Sequence, residues 1–264
     1  MRHSLAVFLL LTLAACSSAP PKEEKNVSAD ELYSQAKVSM EDHNYEKAVK
    51  QLETLQSRYP YGRYAQQAQM EIAYAYYKHS EPAPAIAALD RFVKLYPNSA
   101  HLDYVYYLKG LINFNENINS LLGTFFKQDP SERDPAALHD SFEAFKQLVT
   151  RFPASKYTPD AKLRMQYLLN TLAKSDIHVA DYYLRRGAYI AAANRAKNVL
   201  IDYPQTPQTR EALQILVQAY DAMGLQDLRD DAQRVLALNV AKDGVSPETR
   251  ETPQNAAPWW QFWN

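Results

Sequence analysis

The sequence predicts an all-α fold, a superhelical solenoid of ten helices arranged as five antiparallel pairs. Three observations carry that prediction. Ala36/Ala48/Pro60, Ala73/Ala85/Pro97 and Ala180/Ala192/Pro204 repeat one spacing, alanine to alanine to proline in steps of twelve. A small residue on each of two paired helices lets their axes approach within ~8–10 Å. The proline then stops the second helix, because it has no N–H to donate and biases the residue before it (Tyr59, Tyr96, Tyr203) toward extended backbone. Counting back from each of these prolines, and from Pro153, puts a large apolar residue five positions earlier: Leu55, Phe92, Leu148 and Val199. Leu52, Leu89, Phe145 and Ala196 precede them by three, so four copies agree on one helical face. Starts and turns are marked as well. Ser28 with Glu31 reads as a capping box. Asp134-Pro135, Thr158-Pro159 and Thr206-Pro207 each set a capping side chain before a proline. Turns within pairs fall at Asn44, Glu81-Pro82, Gly187 and Gly224. Helix, turn, helix and stop is the tetratricopeptide unit.

In order, the first pair is expected at 28–43 and 45–58, the second at 63–79 and 84–96. The third occupies 99–115 and 135–151, with Gly110 thirteen residues after Pro97 as Ala73 stands thirteen after Pro60. Its helices are separated by an insertion, 116–134, whose apolar run Leu121-Leu122-Gly123-Thr124-Phe125-Phe126 is expected to pack on the protein itself. The fourth pair, 158–187 and 189–202, opens with a long helix, since Met165, Leu168, Leu169 and Leu172, then Val179, Tyr182, Tyr183 and Arg186, keep helical spacing throughout. That helix is expected to join an N-terminal lobe, 28–153, to a C-terminal lobe, 154–240. The fifth pair, 207–223 and 226–239, lacks the terminal proline and suits a capping repeat. Residues 241–264 carry proline, glycine and charge without periodicity and read as a disordered tail. Trp259, Trp260, Phe262 and Trp263 crowd into five positions of it.

The chain has one cysteine, Cys16. Residues 1–15 combine Arg2, an apolar run from Leu5 to Leu13 and small residues before the cysteine, which is a secretory signal rather than a membrane span. Leu13-Ala14-Ala15-Cys16 resembles a bacterial lipobox, which implies that Cys16 carries S-diacylglycerol and N-acyl groups and begins the mature chain. Ser17-Ser18 follows it, and the absence of aspartate there points by the same resemblance to the outer membrane. Residues 16–27 are then a lipidated flexible tether. Each buried methylene contributes about 0.8 kcal/mol, so several acyl chains hold a protein at a bilayer without a spanning helix. With 29 basic and 30 acidic side chains the chain has no basic footprint for nucleic acid.

The chemistry of catalysis is missing. Six glycines leave little material for a phosphate loop, and there is neither a His-Glu-x-x-His nor a paired cysteine. His43, His79, His101, His139 and His178 are scattered over the repeats, so no metal site and no cofactor is expected. His139-Asp140-Ser141 holds triad residue types, but neighbours on a helix point to different faces. The chain reads as a non-enzyme.

A binding surface is legible. In tetratricopeptide arrays the first helix of each pair lines the concave face. Around Ala36, Ala73 and Gly110 the inward positions hold Tyr33, Lys37 and Met40, then Met70, Tyr74, Tyr77 and Lys78, then Tyr104, Tyr107, Phe114 and Asn115. Tyr33, Tyr74, Tyr77, Tyr104 and Tyr107, with Lys78 for a terminal carboxylate, are therefore expected to form an aromatic groove for an extended peptide. Arg185, Arg186, Arg195, Lys197 and Arg210 concentrate positive charge on the fourth and fifth repeats; Arg185, Arg186 and Arg195 are expected to meet an acidic partner, Arg195 foremost.

The lipobox together with NYEKAVKQLETLQSRYPYGRYAQQAQMEIAYAYYK, DYVYYLKGL and VADYYLRRGAYIAAANRAKNVLIDYP resembles the BamD family over about residues 13–238. These are tetratricopeptide lipoproteins of the outer-membrane β-barrel assembly (Bam) complex. The resemblance implies a non-enzymatic scaffold on the periplasmic face of the outer membrane. It would recognise C-terminal targeting signals of unfolded outer-membrane proteins with its N-terminal repeats. Its C-terminal repeats would dock on the POTRA domain of the barrel protein BamA nearest the barrel, with BamC, where present, along its surface. The tryptophan tail lies outside that family pattern. The alternative reading is another periplasmic tetratricopeptide lipoprotein, such as a pilus-secretin pilotin or a cell-wall coordination factor.

Overall fold

The computed structural model describes residues 27–118, 131 and 135–243. Among them the chain is all-α, with ten helices and no strand: α1 (Ala29–Glu41), α2 (Tyr45–Arg58), α3 (Ala65–Lys78), α4 (Pro82–Leu95), α5 (Leu102–Ile118), α6 (Ala136–Arg151), α7 (Thr158–Arg185), α8 (Tyr189–Asp202), α9 (Gln208–Ala222) and α10 (Gln226–Asp243). They form the five predicted helix-turn-helix pairs. The repeat register is the register of the core: Ala36, Ala48, Ala73, Ala85, Ala180 and Ala192 are all fully buried, as are Leu52, Leu89, Phe92, Phe145, Leu148 and Val199. Each buried Leu or Phe stabilises the fold by about 1.5–3 kcal/mol relative to an exposed one.

Two kinds of turn recur. Within a pair, the first helix ends in a residue with left-handed backbone, His43 (φ 60°), Ser80 (φ 64°), Gly187 (φ 74°) or Gly224 (φ 71°). At each, two N–H groups return to the helix; after α3 the Ser80 N–H donates to the Tyr77 carbonyl (3.1 Å) and the Glu81 N–H to the Tyr76 carbonyl (2.9 Å). This is a Schellman cap, which satisfies carbonyls the helix end leaves open. Between pairs, an aromatic residue before proline closes the helix at nearly constant angles: Tyr59 (φ −129°, ψ 59°), Tyr96 (−130°, 58°), Phe152 (−131°, 60°) and Tyr203 (−129°, 49°). The carbonyls of Tyr59, Phe152 and Tyr203 then accept from Gly62, Ser155 and Thr206 three residues on, at 3.0–3.1 Å.

Several starts differ from expectation. Ser28 caps α1, its hydroxyl accepting from the Glu31 N–H at 3.2 Å, while the Glu31 carboxylate accepts from the Gln35 side chain. Thr158 and Thr206 do not cap forward; their hydroxyls donate backward to the carbonyls of Phe152 (2.8 Å) and Tyr203 (2.9 Å), locking the inter-pair turn. Asp134 lies outside the described residues. α4 begins at Pro82, two residues early, because Pro82 and Pro84 both fit a first turn whose N–H groups have no helical acceptor. α10 runs on to Asp243, past the expected 239.

The chain divides into two compact units at Tyr96–Pro97, not at residue 153. In the first, α1 to α4 pack in sequence. In the second, α6 packs on both α5 and α7, which keeps the third pair with the fourth and fifth. The long helix α7 therefore does not bridge two lobes. It lies within the second unit, against α6, α8 and α9.

Candidate partner-binding surfaces

Tyr33, Tyr74, Tyr77 and Lys78 belong to the first unit. The register of α1 and α3 leaves the three rings half-buried and Lys78 exposed. Tyr74 and Tyr77 are adjacent, with ring centroids 6.4 Å apart. Tyr33 is held from two sides: it stacks on Tyr64 (centroids 4.4 Å, planes within 12°) and its hydroxyl donates to Glu71 Oε1 at 2.9 Å. Lys37 Nζ (3.2 Å) and Gln67 Nε2 (2.9 Å) converge on the same oxygen. Glu71 is only 7% exposed, and its second oxygen is buried without a hydrogen-bond partner. Burial, reinforced by the Glu71 carboxylate, pushes the Tyr33 phenol well above the usual tyrosine range, so it stays a neutral donor. Sequence reading missed Glu71, Gln67 and Tyr64. The signal was a charge set among Ala68, Ile72 and Ala75 on the buried side of α3, where a carboxylate persists only if paired. A separate cleft of about 400 Å³ on this unit is lined by Glu53, Gln56, Tyr76, Pro84 and Arg91.

Tyr104 and Tyr107 sit on α5 in the second unit. Tyr107 does not face a groove: it is 3% exposed, and its hydroxyl donates to Asp160 Oδ2 at 2.8 Å. Burial first, then the Asp160 carboxylate, pushes its phenol up. What it does is carry Tyr157, which stacks on it at 4.7 Å and 18°. Tyr104 approaches the same Tyr157 ring (5.7 Å), and Lys156 Nζ stands 5.0 Å from that ring's centroid. Arg164 Nε meets Asp160 Oδ2 at 2.5 Å while its guanidinium lies 4.9 Å from the Phe114 ring. Tyr157, Asp160 and Arg164 were not picked out by sequence, because they come from the start of α7, more than forty residues along the chain.

The three arginines occupy two places along the α7–α8 pair. Arg185 pairs with Asp181 (3.3 Å) and Arg186 donates to the Tyr182 hydroxyl (3.2 Å), both at the end of α7. Arg195 on α8 reaches Asp176 of α7 at 2.9 Å, nine residues before Arg185, about 14 Å along the axis. The Asp176 carboxyl is pushed up by burial, an effect the Arg195 charge opposes. Arg195 is thus a partly exposed guanidinium fixed by a partner beneath it. Cys16, the 121–126 run and the aromatic residues of 259–263 lie outside the described residues. Among the described residues no cluster of His, Cys, Asp or Glu could hold a metal ion, and no helix is long and apolar enough to cross a membrane.

The family model YfiO, outer membrane lipoprotein, matches residues 25–235. The outer membrane protein assembly factor BamD of Neisseria meningitidis serogroup A is 41% identical, the match covering 98% of both chains. The chain belongs to the BamD family. BamD of Vibrio cholerae is 37% identical over 90% of this chain and 98% of its own, and that of Xylella fastidiosa 37% over 89% and 80%. The BamD family is a non-enzymatic family of outer-membrane assembly factors, in accord with the sequence reading. Among solved structures, a Podosopora anserina kinesin-light-chain-type protein with nearly identical tetratricopeptide-like repeats matches at 15% identity with a TM-score of 0.34, covering 81% of this chain and 95% of that one.

Proposed function

We propose that this BamD-family chain is a scaffold held at the periplasmic face of the outer membrane by acyl chains on Cys16. Its first unit binds the aromatic-ended C-terminal signal of unfolded β-barrel precursors. Its second unit docks on a POTRA domain of BamA, with BamC as an additional neighbour where present. The observation that carries the client part is the pairing of Tyr74 with Tyr77 on α3 beside the exposed Lys78. Two adjacent, half-buried phenol rings give contact area and hydrogen-bonding tips to an extended peptide, and a cation one residue on favours its carboxylate. Tyr33 extends this face, held by Glu71. In the second unit Tyr104 and Tyr157 present rings, and Tyr107 supports them from beneath. Docking on BamA falls to Arg185, Arg186 and Arg195, of which Arg195 is the least exposed and the one tied to a different helix, through Asp176 of α7. Binding of clients is weak, since ordering a disordered peptide costs ~2–5 kcal/mol.

A photo-crosslinker at Tyr77 captures a peptide ending in an aromatic residue, and one at Glu53, in the separate cleft, does not. Equal capture at both, or capture that survives replacing the terminal aromatic by alanine, overturns the client assignment. For docking, Arg195→Glu loses BamA in a pull-down with helicity intact, and Asp176→Asn weakens it because the guanidinium is no longer held. Retention of BamA by Arg195→Glu overturns that assignment.

A further inference from the structure

The turn between the first two pairs, 60–64, differs from the other three inter-pair turns at the residue after the proline. That residue is Tyr61, where the later turns have Asn98, Ala154 and Gln205. Tyr61 is 99% exposed, so its ring has no packing role in the fold. Arg63, two residues on, is exposed as well. Its guanidinium lies 4.6 Å from the Tyr64 ring centroid and meets Asp30 at 3.0 Å. Both members of that ion pair are largely in solvent, so it contributes little, and a phosphate that takes the guanidinium through two oxygens can replace the carboxylate.

The same turn stands where the chain enters the fold. The Tyr59 hydroxyl donates to the Val27 carbonyl at 3.0 Å, and Arg63 and Tyr64 both reach Asp30 in the first turn of α1. The start of α1 and the 60–64 turn therefore form one end of the first unit. Eleven residues lead from Cys16 to Val27, and a linker of that length spans about 17–20 Å root-mean-square and at most about 36–40 Å. The other end of the first pair, at Asp42, is a further ~20 Å away, the length of the fourteen-residue α2. A bilayer reached from Cys16 is thus met first by the end that carries Tyr61. Tyrosine rings favour the headgroup level of a bilayer, and anionic phospholipid draws arginine to the surface.

We infer that Tyr61 and Arg63 rest in the phospholipid headgroup layer of the membrane that holds Cys16, the ring at headgroup depth and the guanidinium on a phosphate, which sets the first unit end-on to the bilayer. The inference rests on the acyl anchor proposed above, and the experiment separates the two. Cys16 is the chain's only cysteine and is blocked once acylated, so Tyr61→Cys supplies a single thiol for a nitrobenzoxadiazole label. The full acylated chain is reconstituted with phosphatidylethanolamine–phosphatidylglycerol vesicles, and flotation reports the anchor by itself. The label at position 61 is blue-shifted from that of the lipid-free chain carrying Cys16→Ser, and nitroxide on the lipid headgroups quenches it. A label on Asp42→Cys, at an exposed residue of the far end, is neither shifted nor quenched. Arg63→Glu lowers the quenching at position 61 while the far-ultraviolet circular dichroism is unchanged. A chain that does not float overturns the anchor and the contact with it. Flotation with the label at position 61 unshifted and unquenched overturns the contact alone, and equal quenching at 61 and 42 overturns the end-on placement. A shift without quenching that grows with protein density on the vesicle overturns the proposal in favour of contact between copies.

Discussion

Gly110 on α5 and Phe145 on α6 stand so close that a Cβ on the glycine would overlap the phenylalanine ring. The Ser141 hydroxyl, one turn before Phe145, donates to the Gly110 carbonyl at 2.9 Å and fixes the crossing. Phe145 is fully buried and has nowhere to go. Overpacking by one methyl costs about 1–3 kcal/mol, against about 0.8–1.0 kcal/mol gained by replacing glycine with alanine in a helix. Gly110→Ala therefore lowers the denaturation midpoint. In a Phe145→Leu background the clash is gone and the same substitution becomes neutral or stabilising, which a double-mutant comparison by urea denaturation checks.

Ser80 and Gly187 hold the same left-handed place in their turns, yet only one is a glycine. A residue with a Cβ is strained there by about 1–2 kcal/mol, partly offset by the greater freedom glycine has when unfolded. Ser80→Gly is expected to stabilise by about 0.5–1 kcal/mol and Gly187→Ala to destabilise by about 1 kcal/mol. Thermal melts of the two variants should move in opposite directions.

The Tyr203 phenol is pushed up to about 12 by burial, then by the negative charges of Asp176 and Asp202. Unfolded, it titrates near 10. Between those two values the folded chain holds a proton that the unfolded chain has lost, so stability falls as pH rises through that window. Tyr203→Phe keeps the ring and removes the proton. Its unfolding free energy is expected to decline less steeply between about pH 10 and 12 than that of the parent, measured by denaturant titration at each pH.

The repeat register was legible because helix period and chain order coincide: Ala36, Ala73 and Ala180 announce their burial through neighbours twelve or fewer positions away. The Schellman turns at His43 and Ser80 were half legible. Their place was clear, but without glycine nothing local signals a positive φ. The misreading of Thr158 and Thr206 has a related cause, since a hydroxyl beside a helix start can serve either the N–H groups ahead or the carbonyl behind, and the geometry of the preceding aromatic turn decides. Glu71 and Asp160 were beyond local reading. Their partners Tyr33 and Tyr107 are 38 and 53 residues away, and only the packing of successive pairs brings them together.

The near-constant dihedrals of the aromatic-proline turns bear on where this architecture tolerates change in length. Six positions separate Phe152 from the first residue of α7, and five separate Tyr203 from that of α9, with the hydroxyls of Thr158 and Thr206 spanning back to close each joint. An added residue there would set the next helix out of register with the one before it. The chain's own insertion, bounded by the helix ends as residues 119–135, falls instead between the two helices of one pair, where α5 and α6 are already bound face to face by Gly110 and Phe145. Extra sequence is accommodated where side-chain packing, and not the backbone turn, sets the angle, which makes the α5–α6 connection the natural point for grafting a new loop.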